Sequence, residues 1–456
     1  MKKIALFLFS DYTKSWLDSG ILDELSEKSN LIVYGHRNII AKINERAPLI
    51  RTSEIPLSIK TRSTERLQLT SLIVRRSRST SFNFRLGRLI FGDLRLFQEK
   101  KTFARVAHAL AYKSKRFVKF VLSNPIEMFA FIPPLGKILE SILRRRFKYV
   151  STGKFQKLLL EKDIHLALIP SAAVEDQVYE FVEFLKTSDI TTAICIENWD
   201  NLTSKSILIS IPDFVFVMGA YCKEHGTRIQ EIEGDQIIVA GLPRFNPYRS
   251  VALSEKQHSR TESVAFRILY LGFSVPHNEK NLIGAMIRLL DSSELKDKYE
   301  FYYKPHPARQ MRFYESKTVP AKVRIIENDS NVSGFSALPS ISPEHIQNIL
   351  DSDVVISTPT SMAIESMLLR VPTIIDATDD GVHKTSASCS LTEYLHLRDL
   401  TKLEGISIGN SASELVELLL REFRNQGSYS GPVLENLIES TRASYASHIT
   451  DLANRL

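Results

Sequence analysis

The chain has 456 residues, 43% of them apolar and 24% charged, with 18 Gly and 18 Pro. That is the length of two or three typical domains with the composition of an ordinary globular protein, which excludes collagen, coiled coil and a disordered chain. The net charge of +7 is unevenly spread: residues 51–148 hold 22 Lys and Arg against 6 Asp and Glu, so the remainder of the chain is acidic.

Residues 4–10 form a short apolar run, 16–27 an amphipathic one and 31–35 a second apolar run, which predicts the strand, helix and strand that open a βαβ unit. Met1-Lys2-Lys3 ahead of the first run has the charge of a signal peptide. The apolar run is short, however, and leads into Ser10-Asp11-Tyr12 with no small-residue cleavage site, so a first buried strand of a cytoplasmic protein is expected. No apolar run approaches the roughly 18 to 20 residues that span a bilayer. Within the basic stretch apolar residues recur at helical spacing among many arginines. Regular order resumes with strands over 164–170, 191–197, 213–218 and 236–240 and helices over 175–186 and 221–231.

Residues 249–263 are polar and lack apolar periodicity, which predicts a linker. A second series follows, with strands over 267–271, 300–303, 323–327, 353–356 and 372–375 and helices over 282–290, 345–350, 361–369 and 414–423. Short, near-continuous apolar strands separated by amphipathic helices predict parallel sheets covered on both faces. Ligands of such sheets bind outside the carboxyl ends of the strands, and two such halves would enclose a cleft.

Three stretches at predicted carboxyl ends carry chemistry. Lys304-Pro305-His306-Pro307 follows a strand, and two alternate prolines fix an extended turn that presents Lys304 and His306. A cation and an imidazole there suit a phosphate or a leaving diphosphate; a rigid surface turn explains the same residues without a ligand. Ser357-Thr358-Pro359-Thr360-Ser361 joins a strand to a helix, either as an anion cradle at the helix N-terminus or as a plain N-cap. Glu365 sits one residue past the capping-box position, so helix-dipole stabilisation and contact with a ribose both remain open for it. Glu197-Asn198-Trp199-Asp200-Asn201-Leu202-Thr203-Ser204-Lys205 is too polar for a core strand. One carboxylate there suits a general base toward an acceptor hydroxyl and Trp199 a sugar face, while turn hydrogen bonds from Asp200 and Asn201 are the structural alternative.

Weaker candidates are Arg244 in Gly241-Leu242-Pro243-Arg244-Phe245 and the loop 376–386 with Asp379, Asp380, His383 and Lys384. Asp351-Ser352-Asp353 matches the D-x-D of metal-dependent sugar transferases but lies at a helix-to-strand junction, the wrong end of the sheet. Cys195, Cys222 and Cys389 are widely spaced, which speaks against a disulfide framework or a zinc site. Neither a Walker P-loop nor a G-x-G-x-x-G fingerprint is present. The basic stretch interleaves Phe129, Phe131 and Ile132 with cations and ends in Arg144-Arg145-Arg146. A solvated helical insertion and an anionic membrane surface explain it equally, ahead of nucleic acid, for which no reader module is recognisable.

Taken together, the Lys-Pro-His-Pro turn, the Ser/Thr-rich turn about fifty residues later and the two α/β halves resemble GT-B glycosyltransferases of bacterial surface polysaccharide synthesis. Those with "HP" and "S/T" motifs are most similar: bacterial sialyltransferases, capsule Kdo transferases and CDP-glycerol glycerophosphotransferases. The resemblance covers about residues 164–423. It implies an α/β fold of two Rossmann-like domains with a central cleft: an acceptor-side domain over 1–248 with the basic helical insertion at about 51–148, and a nucleotide-donor domain over 264–456. It further implies that His306 contacts or protonates the donor phosphate, that Lys304, Ser357, Thr358, Thr360, Ser361 and Glu365 bind the donor, and that no metal or other cofactor is needed. Asp200 or Glu197 would be the base, with Trp199, Asn201 and Arg244 toward the acceptor. In the family the S/T motif often has two adjacent serines; here Pro359 separates the hydroxyls, which leaves open which of them touch the donor.

The expectation is therefore an inverting transfer of sugar from a nucleotide donor to a glycan or lipid-linked acceptor, at the inner face of the cell membrane. Polyol-phosphate transfer from a CDP-alditol and a non-catalytic membrane- or nucleic-acid-associated protein are the alternatives.

Overall fold

A computed structural model describes residues 1–9, 13–55, 138, 141–142, 163–171, 176–205, 208, 210–253, 265–306, 320–327, 343–383, 385–425, 431–439 and 444–456. The basic insertion beyond residue 55, apart from 138, 141 and 142, and most of the expected linker lie outside the described residues. The chain divides into two compact units. One comprises the described residues up to Arg244 together with Leu434–Leu456, the other Phe245–Val433.

In the first unit, β1 (Lys3–Leu8) is followed by α1 (Thr13–Asp18), α2 (Ile21–Lys28), β2 (Asn30–Gly35), α3 (Arg37–Arg46) and β3 (Arg51–Glu54). After the insertion come β4 (Leu166–Ser171), α4 (Asp176–Thr187), β5 (Thr191–Ile196), β6 (Phe214–Val217), α5 (Ala220–Gln230) and β7 (Ile237–Val239). The seven strands pair in parallel in the order β3-β2-β1-β4-β5-β6-β7. Strand order therefore reverses between β1 and β4, the position where doubly wound sheets open a ligand crevice. The period of two sends Ile4, Leu6 and Leu8 to one face, where they meet Trp16, Leu25 and Ile43. On the other face Phe7 stacks on Tyr34 at 4.8 Å and meets Phe181 of α4 at 4.4 Å. The single helix expected over 16–27 is two, because Gly20 adopts φ 72°, a left-handed conformation that ends α1 and starts α2.

The second unit contains α6 (Asn246–Leu253), β8 (Phe266–Leu271), α7 (Glu279–Leu290), β9 (Tyr299–Lys304), β10 (Val323–Ile325), α8 (Pro343–Leu350), β11 (Val354–Ser357), α9 (Ser361–Leu368) and β12 (Thr373–Asp376). It ends with α10 (Ala387–Glu393), α11 (Leu395–Arg398), β13 (Ser407–Gly409) and α12 (Ala412–Arg424). Its strands are again all parallel, in the order β10-β9-β8-β11-β12-β13, with the reversal between β8 and β11. Ile268 and Tyr270 of β8, Phe301 and Tyr303 of β9 and Ile356 of β11 form a core with Ile283 and Met286 of α7 and Leu415 and Leu419 of α12.

Residues 434–456 differ from the expected division at 264. Their helix α13 (Tyr445–Arg455) supplies Tyr445, Ile449 and Leu452 to the core of the first sheet, where Tyr445 meets Trp16 edge-on at 5.9 Å. The preceding segment is fixed by backbone hydrogen bonds from Tyr221 N to Asn436 O at 3.0 Å and from Glu439 N to Met218 O at 2.8 Å. Gly219 lies beneath it, and a Cβ there would stand 2.2 Å from the Leu437 carbonyl oxygen.

Candidate functional site

At the carboxyl edge of the second sheet, Lys304 ends β9 and the Lys-Pro-His turn begins. Gly272, just past β8, donates its N–H to the Lys304 carbonyl at 2.9 Å. A Cβ on Gly272 would lie 3.1 Å from His306 N and 3.2 Å from Pro305 Cα, so the two loops approach backbone to backbone. The Lys304 ammonium is 3.1 Å from His345 Nδ1 on α8, and His345 Nε2 is 2.9 Å from Glu365 Oε2 on α9. Glu365 is buried and meets the His345 imidazole, so it does more than face the helix dipole. His306 is half-buried at the end of the turn.

The Ser/Thr-rich turn follows β11. Ser357 and Thr358 are fully buried, with Ser357 Oγ donating to the Thr358 carbonyl at 2.9 Å and Thr358 Oγ1 to the Leu271 carbonyl at 3.2 Å. Both protons are committed to backbone carbonyls, one in the turn and one at the end of β8. Thr360 is the N-cap residue of α9, yet its side chain makes no capping hydrogen bond. Its hydroxyl is buried, with the residue 8% exposed, and has no hydrogen-bond partner among the described residues. Buried polar atoms are nearly always partnered, and this unsatisfied hydroxyl stands at a helix N-terminus, where the dipole is positive. Ser361 begins the helix and is half-buried.

A buried ionic cluster on the same edge was not foreseen in the sequence, where only the loop carrying Asp379, Asp380, His383 and Lys384 stood out; Lys384 lies outside the described residues. His277, from the loop before α7, lies 3.4 Å from Asp376 Oδ2 and 3.5 Å from Asp380 Oδ2. Burial works to discharge His277, but the two carboxylates outweigh it and its pKa is pushed up to about 9. Burial likewise works to raise Asp380. The His277 side chain, the His383 backbone and side chain and the Val382 backbone N–H outweigh it and hold the carboxyl well below the usual range. Asp380 accepts from Asn278 N at 2.8 Å and binds His383 Nδ1 at 2.6 Å, which ties the loop after β8 to the loop after β12. Tyr270 OH donates to Asp376 at 2.6 Å and Tyr303 OH to Glu279 at 2.5 Å, and Glu279 also takes the Phe273 N–H. The signal available in the sequence was that His277-Asn278 immediately precedes a helix in a chain whose other strands end in ligand-type residues.

In the first unit the loop after β5 is more structural than its composition suggests. Glu197 is 1% exposed and accepts hydrogen bonds from Trp16 Nε1 at 2.8 Å and Ser15 Oγ at 3.0 Å, both on α1. Trp199, expected to offer a ring face to an acceptor sugar, is 3% exposed and part of the core; the turn of π-helix over Asn201–Lys205 follows it. Asn201 is also buried, and braces the loop by accepting from Asn198 N at 2.8 Å and donating to Asp200 Oδ1 at 3.2 Å. Asp200 remains half-buried at the surface of this loop and also accepts from Ser204 Oγ at 3.4 Å.

Arg244 lies in a turn of 3-10 helix (Pro243–Phe245) at the last position of the first unit and is half-buried. Asp353 accepts from Arg267 N at 2.7 Å, which places the Asp351-Ser352-Asp353 stretch at the amino end of the sheet. None of the three cysteines is in a disulfide. Among the described residues, no group of His, Cys, Asp or Glu is arranged to hold a metal ion, and no helix is long and apolar enough to cross a membrane.

Two all-parallel sheets, each with one reversal of strand order and helices between strands, define a pair of Rossmann-like domains of the GT-B type. No family model matches the chain, and no curated protein does. Among solved structures, the UDP-GlcNAc 2-epimerase of Methanocaldococcus jannaschii is similar over 100% of both chains, with 11% identity and a TM-score of 0.50. MurG of Acinetobacter baumannii is similar over 100% of both chains at 9% identity and a TM-score of 0.45. A glycosyltransferase of Rickettsia africae ESF-5 is matched over 100% of this chain and 92% of its own, at 11% identity and a TM-score of 0.43. At such identities the likeness is one of fold.

Proposed function

We propose that the protein is a glycosyltransferase that moves a sugar from a nucleotide-sugar donor to a glycan or lipid-linked acceptor in bacterial surface polysaccharide synthesis, with inversion and without a metal. The observation that carries this reading is the Thr360 hydroxyl, buried and unsatisfied at the N-terminus of α9. It suits a phosphate oxygen of the donor, with the helix dipole and the Lys304 charge on the same sheet edge. In this reading His306 donates a hydrogen bond or proton to the departing phosphate, and these positive groups offset the charge that develops as the glycosidic bond breaks. Ser361 and Glu365 complete the donor side. Asp200 takes the proton of the attacking acceptor hydroxyl, since Glu197 is occupied by Trp16 and Ser15. Arg244 contributes toward the acceptor. The surplus of basic residues over 51–148 supports contact with an anionic membrane surface, read as vesicle binding that weakens with salt.

The test is donor turnover with a panel of CMP-, CDP-, UDP- and GDP-activated sugars and lipid-linked acceptors, following released nucleotide. His306→Ala is expected to abolish turnover while leaving the melting temperature unchanged; full activity in that variant would remove the assigned role. Release of a nucleoside monophosphate from a CDP-alditol, with phosphate travelling to the acceptor, would replace sugar transfer by polyol-phosphate transfer. The fold shared with a UDP-GlcNAc 2-epimerase supports one further reading, acceptor-independent epimerisation of UDP-GlcNAc, which the same assay detects in the recovered sugar.

A further inference from the structure

The residues Lys304 and Glu365 stand out in the sequence separately, but in the structure His345 lies between them. We propose that His345 is a positioning residue that couples the two, so that the phosphate-facing cation and the carboxylate on α9 act on a bound nucleotide as one unit. The inference rests on the reading that both residues face the donor.

The chemistry of the three groups leaves one arrangement of protons. An ammonium only donates and a carboxylate only accepts. The imidazole between them must therefore accept at Nδ1, 3.1 Å from Lys304 Nζ, and donate from Nε2, 2.9 Å from Glu365 Oε2. A proton on Nδ1 would face the ammonium donor to donor. His345 thus bridges a cation and an anion, and each end orients the imidazole for the other. The side chain of His345 is 13% exposed and that of Glu365 6%, so water competes little for these bonds. On the same helix α8, Ile346 and Ile349 are buried.

The consequence lies in Lys304. A lysine has many side-chain rotamers, and most of that freedom is lost when it is fixed on a ligand. Holding it on His345 before the ligand arrives removes that cost from binding, which is preorganisation by a residue that does not itself touch the donor. A residue that merely stapled α8 to α9 would affect stability and leave the two ligand contacts independent.

The experiment is a double-mutant cycle on the full chain. The probe is whichever of CMP, CDP, UDP or GDP raises the melting temperature of the wild-type protein most, with affinity then measured by calorimetry. In the wild-type background, Lys304→Met and Glu365→Gln are expected to weaken binding less in combination than the product of their separate effects, by about tenfold. In a His345→Leu background that discrepancy disappears, and binding falls by a similar factor. His345→Gln, which keeps one acceptor and one donor, retains the coupling and provides a folded comparison if the leucine variant is unstable. Additive losses in the wild-type background, or unaltered coupling in both His345 variants, overturn this inference while leaving the donor site intact. Absence of any nucleotide-dependent shift in the wild-type protein overturns the donor-site reading and this inference together.

Discussion

Glu197 accepts the indole N–H of Trp16 at 2.8 Å across 181 residues of sequence, in a site with both side chains buried. The bond ties α1 to the carboxyl end of β5 beneath the loop that carries Asp200. Glu197→Gln turns one acceptor oxygen into a donor facing Trp16 or Ser15, and is expected to cost about 1–3 kcal/mol in urea-induced unfolding. Asp200→Asn removes a half-buried carboxylate from the surface of the loop. It is expected to leave the unfolding midpoint within about 0.5 kcal/mol of wild type while lowering turnover by about 10²-fold or more. The opposite pattern, with turnover following Glu197, would exchange the two roles.

His277 makes the stability of the second unit depend on pH in a defined direction. Its folded pKa of about 9 stands above the ordinary value of 6.5, because Asp376 and Asp380 overcome the opposing effect of burial. The stabilisation is fully present below pH 6.5 and is lost as pH rises from there through 9. The shift corresponds to about 3 kcal/mol. Chemical denaturation at pH 6 and pH 9.5 should show a drop of that order in the wild-type protein and a much smaller one in His277→Gln. Equal drops in the two proteins would show that another group is responsible.

The Thr360 hydroxyl contributes no hydrogen bond within the described residues. Thr360→Val keeps the shape and removes the unsatisfied oxygen, so stability is expected to stay level or rise by up to about 1 kcal/mol. Nucleotide affinity should fall roughly tenfold, the value of a hydrogen bond to a charged group. Retained affinity together with lost stability would make the hydroxyl a structural cap.

Gly219 offers no room for a side chain, since a Cβ would meet the Leu437 carbonyl at 2.2 Å and Ile438 N at 2.8 Å. Gly219→Ala must therefore displace the segment that carries the bonds to Met218 and Tyr221. A loss of about 1–3 kcal/mol is expected, together with faster amide exchange over 434–439. Exchange unchanged in that segment would mean that the strain is absorbed elsewhere.

What could be read in the sequence follows from how local each signal is. The strands over 3–8, 166–171 and 354–357 are near-continuous apolar runs, as befits parallel strands covered on both faces, and Pro305 marks the Lys-Pro-His turn at the end of β9. The edge strands β3 and β13 are short and half-exposed and carry no such run. Trp199 and Asn201 resembled ligand residues by type, and only the packing around them shows that they are buried. His345 and His277 owe their significance to partners at the ends of other strands, which spacing along the chain does not reveal. The amphipathic pattern of α13 announces a buried face without saying which core receives it.

That last placement bears on how the protein is made. The center of the first sheet pairs Ile4 with Leu166, and its core is completed by Tyr445, Ile449 and Leu452, which are synthesised after the whole of the second unit. The described residues of the second unit run from 245 to 433, so they leave the ribosome ahead of that last segment, while the earliest residues wait with an unfinished apolar face. Pairings this distant are slow to form, and the waiting interval is the stage of biogenesis most exposed to aggregation and most in need of a chaperone.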